Sequence, residues 1–197
     1  MSARHPLTVA AATLEDYRRA WSSSAGGPLP WECLFTLPPW LEAWWWSFGS
    51  GAARILAVRD GPACLGLAPL LARKTALGIM GDPEICDYLD LMAAPGRETE
   101  VLEALADHLR SEGCPELQVG PLPEDAPTVA ALQRLARSDG LTLAVAPAGV
   151  ASRADLPASW EAYLQGLAGK ERHEIRRKER RLRSAGGILG IPVVDHV

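Results

Sequence analysis

Apolar positions along the chain fall into short blocks whose spacing switches between the two-residue period of strands and the 3.6-residue period of helices. Leu7–Ala11 forms a first strand-length run. Thr13 then has the character of a helix N-cap, with Glu15 and Asp16 in the first turn, where the helix dipole favours acids. That helix runs over Leu14–Trp21 and gives way to a Ser/Gly/Pro-rich segment, Ser22–Pro30. A second helix starts at Pro38 or Pro39, since proline is tolerated in a first turn. It carries Trp40, Leu41, Trp44, Trp45 and Phe48 and stops at Gly49–Gly51.

Strand-length runs follow at Arg54–Arg59, Cys64–Ala72, Leu77–Met80 and Tyr88–Met92. Asp60-Gly61 between the first two is a hairpin signal, and Pro69 predicts an edge position or a bulge for the second. Glu98–Glu112 reads as a helix with Val101, Leu102, Leu105 and Leu109 on one face, capped at Gly113. Glu116–Val119 is a short strand, Ala126–Ser138 a helix stopped by Asp139-Gly140, and Leu141–Ala146 a further strand. Ser159 caps the longest helix, Trp160–Ser184, which Gly186-Gly187 end before a last strand at Ile188–Val194. No period of 20–50 residues recurs. Strands interleaved with helices in this order predict an α/β protein, a central mixed sheet flanked by helices, formed as a single domain over residues 1–197.

Composition adds a charge asymmetry. The 197 residues are 48% hydrophobic and carry a net charge of -4, which excludes wholesale disorder and a chain built as a whole to coat polyanions. Yet eight of the 20 Lys/Arg, and only three of the 24 Asp/Glu, lie between Lys170 and Arg183. Cys33, Cys64, Cys86 and Cys114 are widely spaced, without CxxC or a histidine at ligand spacing, so neither a zinc site nor a disulfide framework is expected. The N-terminus lacks a secretory h-region, no apolar run approaches a membrane span, and no asparagine is present to accept a glycan. These features predict a cytoplasmic protein.

Three segments are candidates for chemistry. In the tryptophan-rich helix, Trp44, Trp45 and Trp46 cannot share one face because successive positions are about 100° apart. Trp40 and Trp44 are its candidate aromatics for a substrate groove or the core. Gly81-Asp-Pro-Glu-Ile-Cys-Asp-Tyr-Leu-Asp90 gathers Asp82, Glu84, Asp87, Asp90 and Tyr88 after a strand, where a carboxylate and a tyrosine could serve as base and acid. Asp87 and Tyr88 are the catalytic candidates there. In the last helix Arg172, Arg176, Arg177 and Arg180 are candidate binders of phosphate or carboxylate, because the guanidinium fork grips both bidentately.

Taken in order, Phe35…Pro39-Trp40-Leu41…Trp44-Trp45…Phe48-Gly49, Gly66-Leu-Ala-Pro69-Leu70, Gly81-Asp82…Asp87-Tyr88-Leu-Asp90 and Leu156-Pro157…Trp160…Tyr163-Leu164…Arg172…Arg176-Arg177-Lys178…Arg180-Arg181-Leu182…Gly186 resemble one family. It is the GNAT-type N-acetyltransferases that include CelD-like cellulose and exopolysaccharide biosynthesis proteins, similar in fold to FemAB aminoacyltransferases. The likeness covers about residues 30–187. It implies a GNAT-like fold, acetyl-CoA or another acyl-CoA as donor and an amine as acceptor. It also implies a second GNAT-like half after the basic helix, so this chain is expected to be an N-terminal half. The loop that such proteins use for the acyl-CoA diphosphate, [QR]-x-x-G-x-[GA], is not completed here; Arg183-Ser-Ala-Gly186-Gly187-Ile188 comes nearest. Two alternatives stand beside acyl transfer: a non-enzymatic interaction module that docks an acidic partner, and a tRNA-binding half-domain of the FemAB kind.

Overall fold

A computed structural model describes residues 6–22, 29–31, 33–73, 76–138, 141–150, 152 and 155–186. The chain, expected from its sequence to be a single domain, divides into two compact units, Met1–Ala148 and Gly149–Val197.

The first unit opens with strand β1 (Thr8–Ala12) and helix α1 (Leu14–Ser22). Thr13 caps α1 reciprocally: its hydroxyl accepts from the Asp16 N–H at 3.0 Å, while Asp16 accepts from the Thr13 N–H at 3.0 Å. A short 3-10 turn, Leu34–Thr36, leads into α2 (Pro38–Phe48), whose two prolines fill positions that need no amide donor. Pro38, Leu41 and Trp44 are buried at helical spacing. Of the three consecutive tryptophans Trp44 is in the core at 6% exposure, Trp45 is half-buried and Trp46 is 87% exposed, as their angular separation requires.

Strands β2 (Ala53–Asp60) and β3 (Ala63–Ala72) form the expected hairpin, pairing Asp60 with Ala63 across Gly61-Pro62. Gly61, at φ +55°, takes a turn conformation that a side chain would resist. Ile55–Val58 and Leu65–Leu71 are buried without a break. Because alternate strand residues face opposite sides, both faces of these strands are covered. β4 (Leu77–Ile79) and β5 (Met92–Ala93) pair with β3 at different points, β4 against Leu70–Ala72 and β5 against Gly66 and Leu67. Helix α3 (Glu98–Ser111) buries Val101, Leu102, Leu105 and Leu109; β6 (Leu117–Gln118) then pairs in parallel with β4, and α4 (Pro127–Ser138) follows. The strand order is β1-β2-β3-β4-β6, with β5 also on β3. The mixed sheet flanked by helices is thus the architecture the sequence predicts.

The second unit holds α5 (Trp160–Gly166) and α6 (Gly169–Ser184). The single helix expected over Trp160–Ser184 is broken: Leu167 and Ala168 are extended, at ψ 153° and 146°. Gly166 and Gly169 bracket the break, and glycine is the weakest helix former after proline. Glu161 and Arg176 would lie about 22 Å apart on one straight helix, yet they form a 2.8 Å ion pair. The two helices therefore fold back on each other.

Three further expectations are corrected. Leu141–Ala146 is not a strand but an exposed segment without regular structure. Its alternating apolar residues find no neighbouring strand among the described residues, and strand propensity alone does not hold an unpaired segment. The run Tyr88–Met92 is regular strand only from Met92: Leu89 bonds to the backbone of Gly120 and Pro121, and the Asp90 carboxylate takes the Leu91 N–H at 2.7 Å and withdraws it from any ladder. Pro69 lies in a strand with neighbours on both sides, and the bulge falls at Val58/Arg59 instead. Pro69 accepts from the Met80 N–H at 2.7 Å, so its missing donor points to the gap left between β4 and β5. The strand expected at Ile188–Val194 and the stop at Asp139-Gly140 lie outside the described residues.

Candidate functional site

The parallel pairing of β4 and β6 places their carboxyl ends side by side, the end of a sheet where α/β proteins gather ligands. The chain leaving β4 turns at Gly81 (φ +142°), where a Cβ would run into Leu89. A turn at Asp82 follows: its carbonyl accepts from the Ile85 and Cys86 N–H groups, and its carboxylate from the Glu84 N–H. The chain then crosses the end of β6, where the Leu89 N–H donates to Pro121 O and the Gly120 N–H donates to Leu89 O, each at 2.9 Å. Asp90 is the next residue. It is fixed at this end of the sheet by backbone bonds on either side.

One Asp90 oxygen accepts from the Leu91 N–H, and the other accepts from the Thr128 hydroxyl at 3.0 Å, in the first turn of α4. Burial pushes its carboxyl up from 3.8 to about 6, against the opposing pull of those two donors. A carboxyl with that affinity is ionised at neutral pH and is a stronger base than an exposed aspartate. Asp87, by contrast, is exposed. Tyr88 is half-buried and meets Phe35 edge-on at 6.3 Å, and Phe35 in turn meets Trp40 edge-on at 5.1 Å. The 3-10 turn and the start of α2 thus bring an aromatic wall to the same loop. The Trp40 Nε1 is buried without an acceptor among the described residues.

The other sequence candidates belong to other elements. Trp44 is a core residue that packs on Phe48 at 6.3 Å. Arg172, Arg176, Arg177 and Arg180 all belong to α6 in the second unit. Arg177 grips both oxygens of Glu174 (2.8 and 2.7 Å), which holds that carboxyl down to about 2. Arg176 pairs with Glu161, while Arg172 and Arg180 have no ion-pair partner among the described residues. Asp90 had a sequence signal only as one acid among several. Its selection depends on burial and on Thr128, 38 residues away.

The diphosphate of an acyl-CoA requires free backbone amides at a helix N-terminus with no fixed anion beside them. The helices of the first unit do not fit it. The first turn of α1 holds Glu15 and Asp16, and α2 starts with two prolines. At α3 the Gly96 N–H already donates to Glu98 at 3.0 Å, with Glu98 and Glu100 in the first turn. At α4, Pro127 lacks an amide hydrogen and the Asp90 carboxylate is already bonded to Thr128. The nearest sequence match, Arg183–Gly186, lies at the C-terminal end of α6, where Gly186 (φ +74°) closes the helix and the dipole repels anions.

No family model matches the sequence, and no curated protein matches it. Among solved structures the chain is similar to a ribosomal-protein-alanine N-acetyltransferase from Brucella melitensis biovar Abortus 2308. The identity is 15% and the TM-score 0.37, over 76% of this chain and 99% of that one. The architecture itself rests on the strand order and on the α3 connection between the parallel strands β4 and β6.

Proposed function

We propose that the chain belongs to a GNAT-type N-acyltransferase and carries its acceptor-side chemistry, with Asp90 as the base. The observation behind this reading is the desolvated Asp90 carboxyl at the carboxyl ends of the parallel pair, bonded to Thr128 and on the loop whose Tyr88 joins the Phe35 and Trp40 rings. The element order, two helices between the first and second strands and a helix between β4 and β6, accords with the family the sequence resembles.

In this reading an amine acceptor lies against the aromatic wall, and Asp90 takes the proton that the nitrogen must lose to attack an acyl carbon. A new C–N bond forms as the bond to the leaving group breaks. The Tyr88 hydroxyl supplies the leaving group's proton, and the Trp40 N–H is a donor for a substrate carbonyl. Since the helix ends of the first unit do not fit the acyl-CoA diphosphate, no step is assigned to that group there. A second GNAT-like half, to complete the donor site, and a role in polysaccharide biosynthesis belong to the same proposal. So do a small-molecule acyl donor and a cytoplasmic location; among the described residues no helix is long and apolar enough to cross a membrane.

The test is transfer of a radiolabelled acetyl group from acetyl-CoA to a panel of small amines. Asp90→Asn is expected to lower kcat by about 10²–10⁴-fold and Tyr88→Phe by about 10²-fold, the usual share of general acid–base catalysis. Turnover that survives Asp90→Asn would remove Asp90 from the chemistry, and the absence of transfer both by the unaltered chain and by the chain joined to its second half would remove the acyltransferase reading.

A further inference from the structure

The second unit holds a groove that the acyl-transfer reading does not use. Leu156, Pro157, Ser159, Trp160, Tyr163 and Ile175 line an open cavity of about 550 Å³ where α5 meets α6. Tyr163, Leu167, Glu171, Glu174 and Ile175 line a second of about 350 Å³. Both volumes fall within the roughly 300–1,000 Å³ common for small-ligand sites. Tyr163 and Ile175 belong to both linings, so the cavities join into one groove, apolar at the Leu156 end and acidic at the Glu171 end.

An aromatic ring and carboxylates in one cavity suit a cation. Trp160 stacks on Tyr163 with ring centroids 5.4 Å and planes 20° apart, and Tyr163 also lines the acidic cavity. The face of such a ring carries partial negative charge and attracts an ammonium group within about 6 Å of its centroid. Glu171 is exposed and has no ion-pair partner among the described residues, while Glu174 is shared between Arg177 and Lys178. Among the described residues no lysine or arginine lines either cavity. Helical angle gives the reason. Arg172, Arg176, Arg180 and Arg181 fall in one half of the α6 circumference, and Glu171, Glu174 and Ile175 in the other. Arg176, which reaches across to α5, is neutralised there by Glu161.

From this geometry we infer that the α5–α6 groove binds a primary alkylammonium ion, its ammonium group on the Tyr163 ring beside Glu171 and Glu174 and its chain along Leu156, Pro157 and Trp160. A free aliphatic amine and the side chain of a lysine share this chemistry. A neutral or anionic head group gains nothing from the carboxylates, and an ammonium ion without a chain leaves the apolar cavity unfilled. The acyl-transfer reading assigns its amine to the Asp90 loop of the first unit, so the inference does not rest on it.

An NMR titration of the full chain with hexylamine, hexanol and hexanoate, which share one chain length, tests it. Hexylamine is expected to shift the Trp160 indole resonance and to bind about tenfold more tightly than hexanol, through the cation–π contact and a charge-assisted bond. Hexanoate is expected to bind most weakly. Glu171→Gln, a change at an exposed position, should weaken hexylamine about threefold and leave hexanol unchanged. Tyr163→Leu should weaken hexylamine about fivefold, while Tyr163→Phe keeps the ring and most of the affinity. A lysine amide acetylated at its α-nitrogen that binds as tightly as hexylamine identifies a lysine side chain as the source; weaker binding identifies a free amine, and both outcomes support the inference. No shift with hexylamine at millimolar concentration overturns it, as do equal affinities for hexylamine and hexanol or an unchanged hexylamine affinity in Glu171→Gln. Tighter binding of hexanoate overturns it in favour of the α6 arginines. If acetyl transfer fails while hexylamine still binds, only the acyltransferase reading is lost.

Discussion

Replacing Asp90 by Asn should stabilise the protein at neutral pH, because burial makes the ionised carboxylate costly. A shift of its pKa from 3.8 to about 6, at about 1.4 kcal/mol per tenfold change in proton affinity, corresponds to about 3 kcal/mol. The sign follows from proton counting. Between about pH 4 and pH 6 the unfolded chain has released the Asp90 proton while the folded chain still holds it, so rising pH favours unfolding through that window. Above pH 6 the cost is complete and constant. Asn is nearly isosteric, its carbonyl can accept from the Leu91 N–H, and the Thr128 hydroxyl can rotate to accept from the amide. Urea unfolding followed by tryptophan fluorescence should therefore give Asp90→Asn an advantage of up to about 3 kcal/mol at pH 7.5, shrinking towards zero at pH 4. Loss of acyl transfer in the same variant would show a group kept at a stability cost for its chemistry. A variant less stable than the parent at pH 7.5, or a gap that does not change between pH 7.5 and 4, would refute the claim that burial dominates at this carboxyl.

Other substitutions separate packing from surface. Trp44→Ala should cost about 3–5 kcal/mol in denaturant midpoint analysis, since it empties a core position, whereas Trp46→Ala at an exposed site should stay within about 0.5 kcal/mol. Tyr17→Phe should cost about 1–3 kcal/mol in the same assay, because its fully buried hydroxyl donates to Thr36 O at 2.8 Å and leaves that carbonyl unpaired when removed. Gly66→Ala should destabilise by about 1–3 kcal/mol, since a new Cβ would stand 2.5 Å from Val101 Cγ1 and force α3 off β3; unchanged thermal stability would show that α3 yields freely.

The local pattern determined the elements whose signals are local. Thr13 with Asp16, Pro38-Pro39, Asp60-Gly61 and the Val101/Leu102/Leu105/Leu109 face each carry their instruction within a few residues, and each element formed where its residues direct. The same holds for the tryptophans, whose division between core and surface follows from helical angle alone. Tertiary structure decided whatever depends on a partner distant in sequence. Leu141–Ala146 has the alternation of a strand, yet a strand exists only when another supplies its ladder. The break at Leu167-Ala168 has a local cause in Gly166 and Gly169, but the return of α6 onto α5, which brings Arg176 to Glu161, joins residues distant in sequence. In the candidate site, sequence isolated an acidic loop and could not rank its members. Desolvation singles out Asp90 over Asp87, and desolvation is a property of surroundings: the Leu89 anchor to the end of β6 and the Thr128 hydroxyl of α4. Charge behaves alike. The run from Lys170 to Arg183 is visible in the sequence, but only the folded hairpin shows which arginines are already paired.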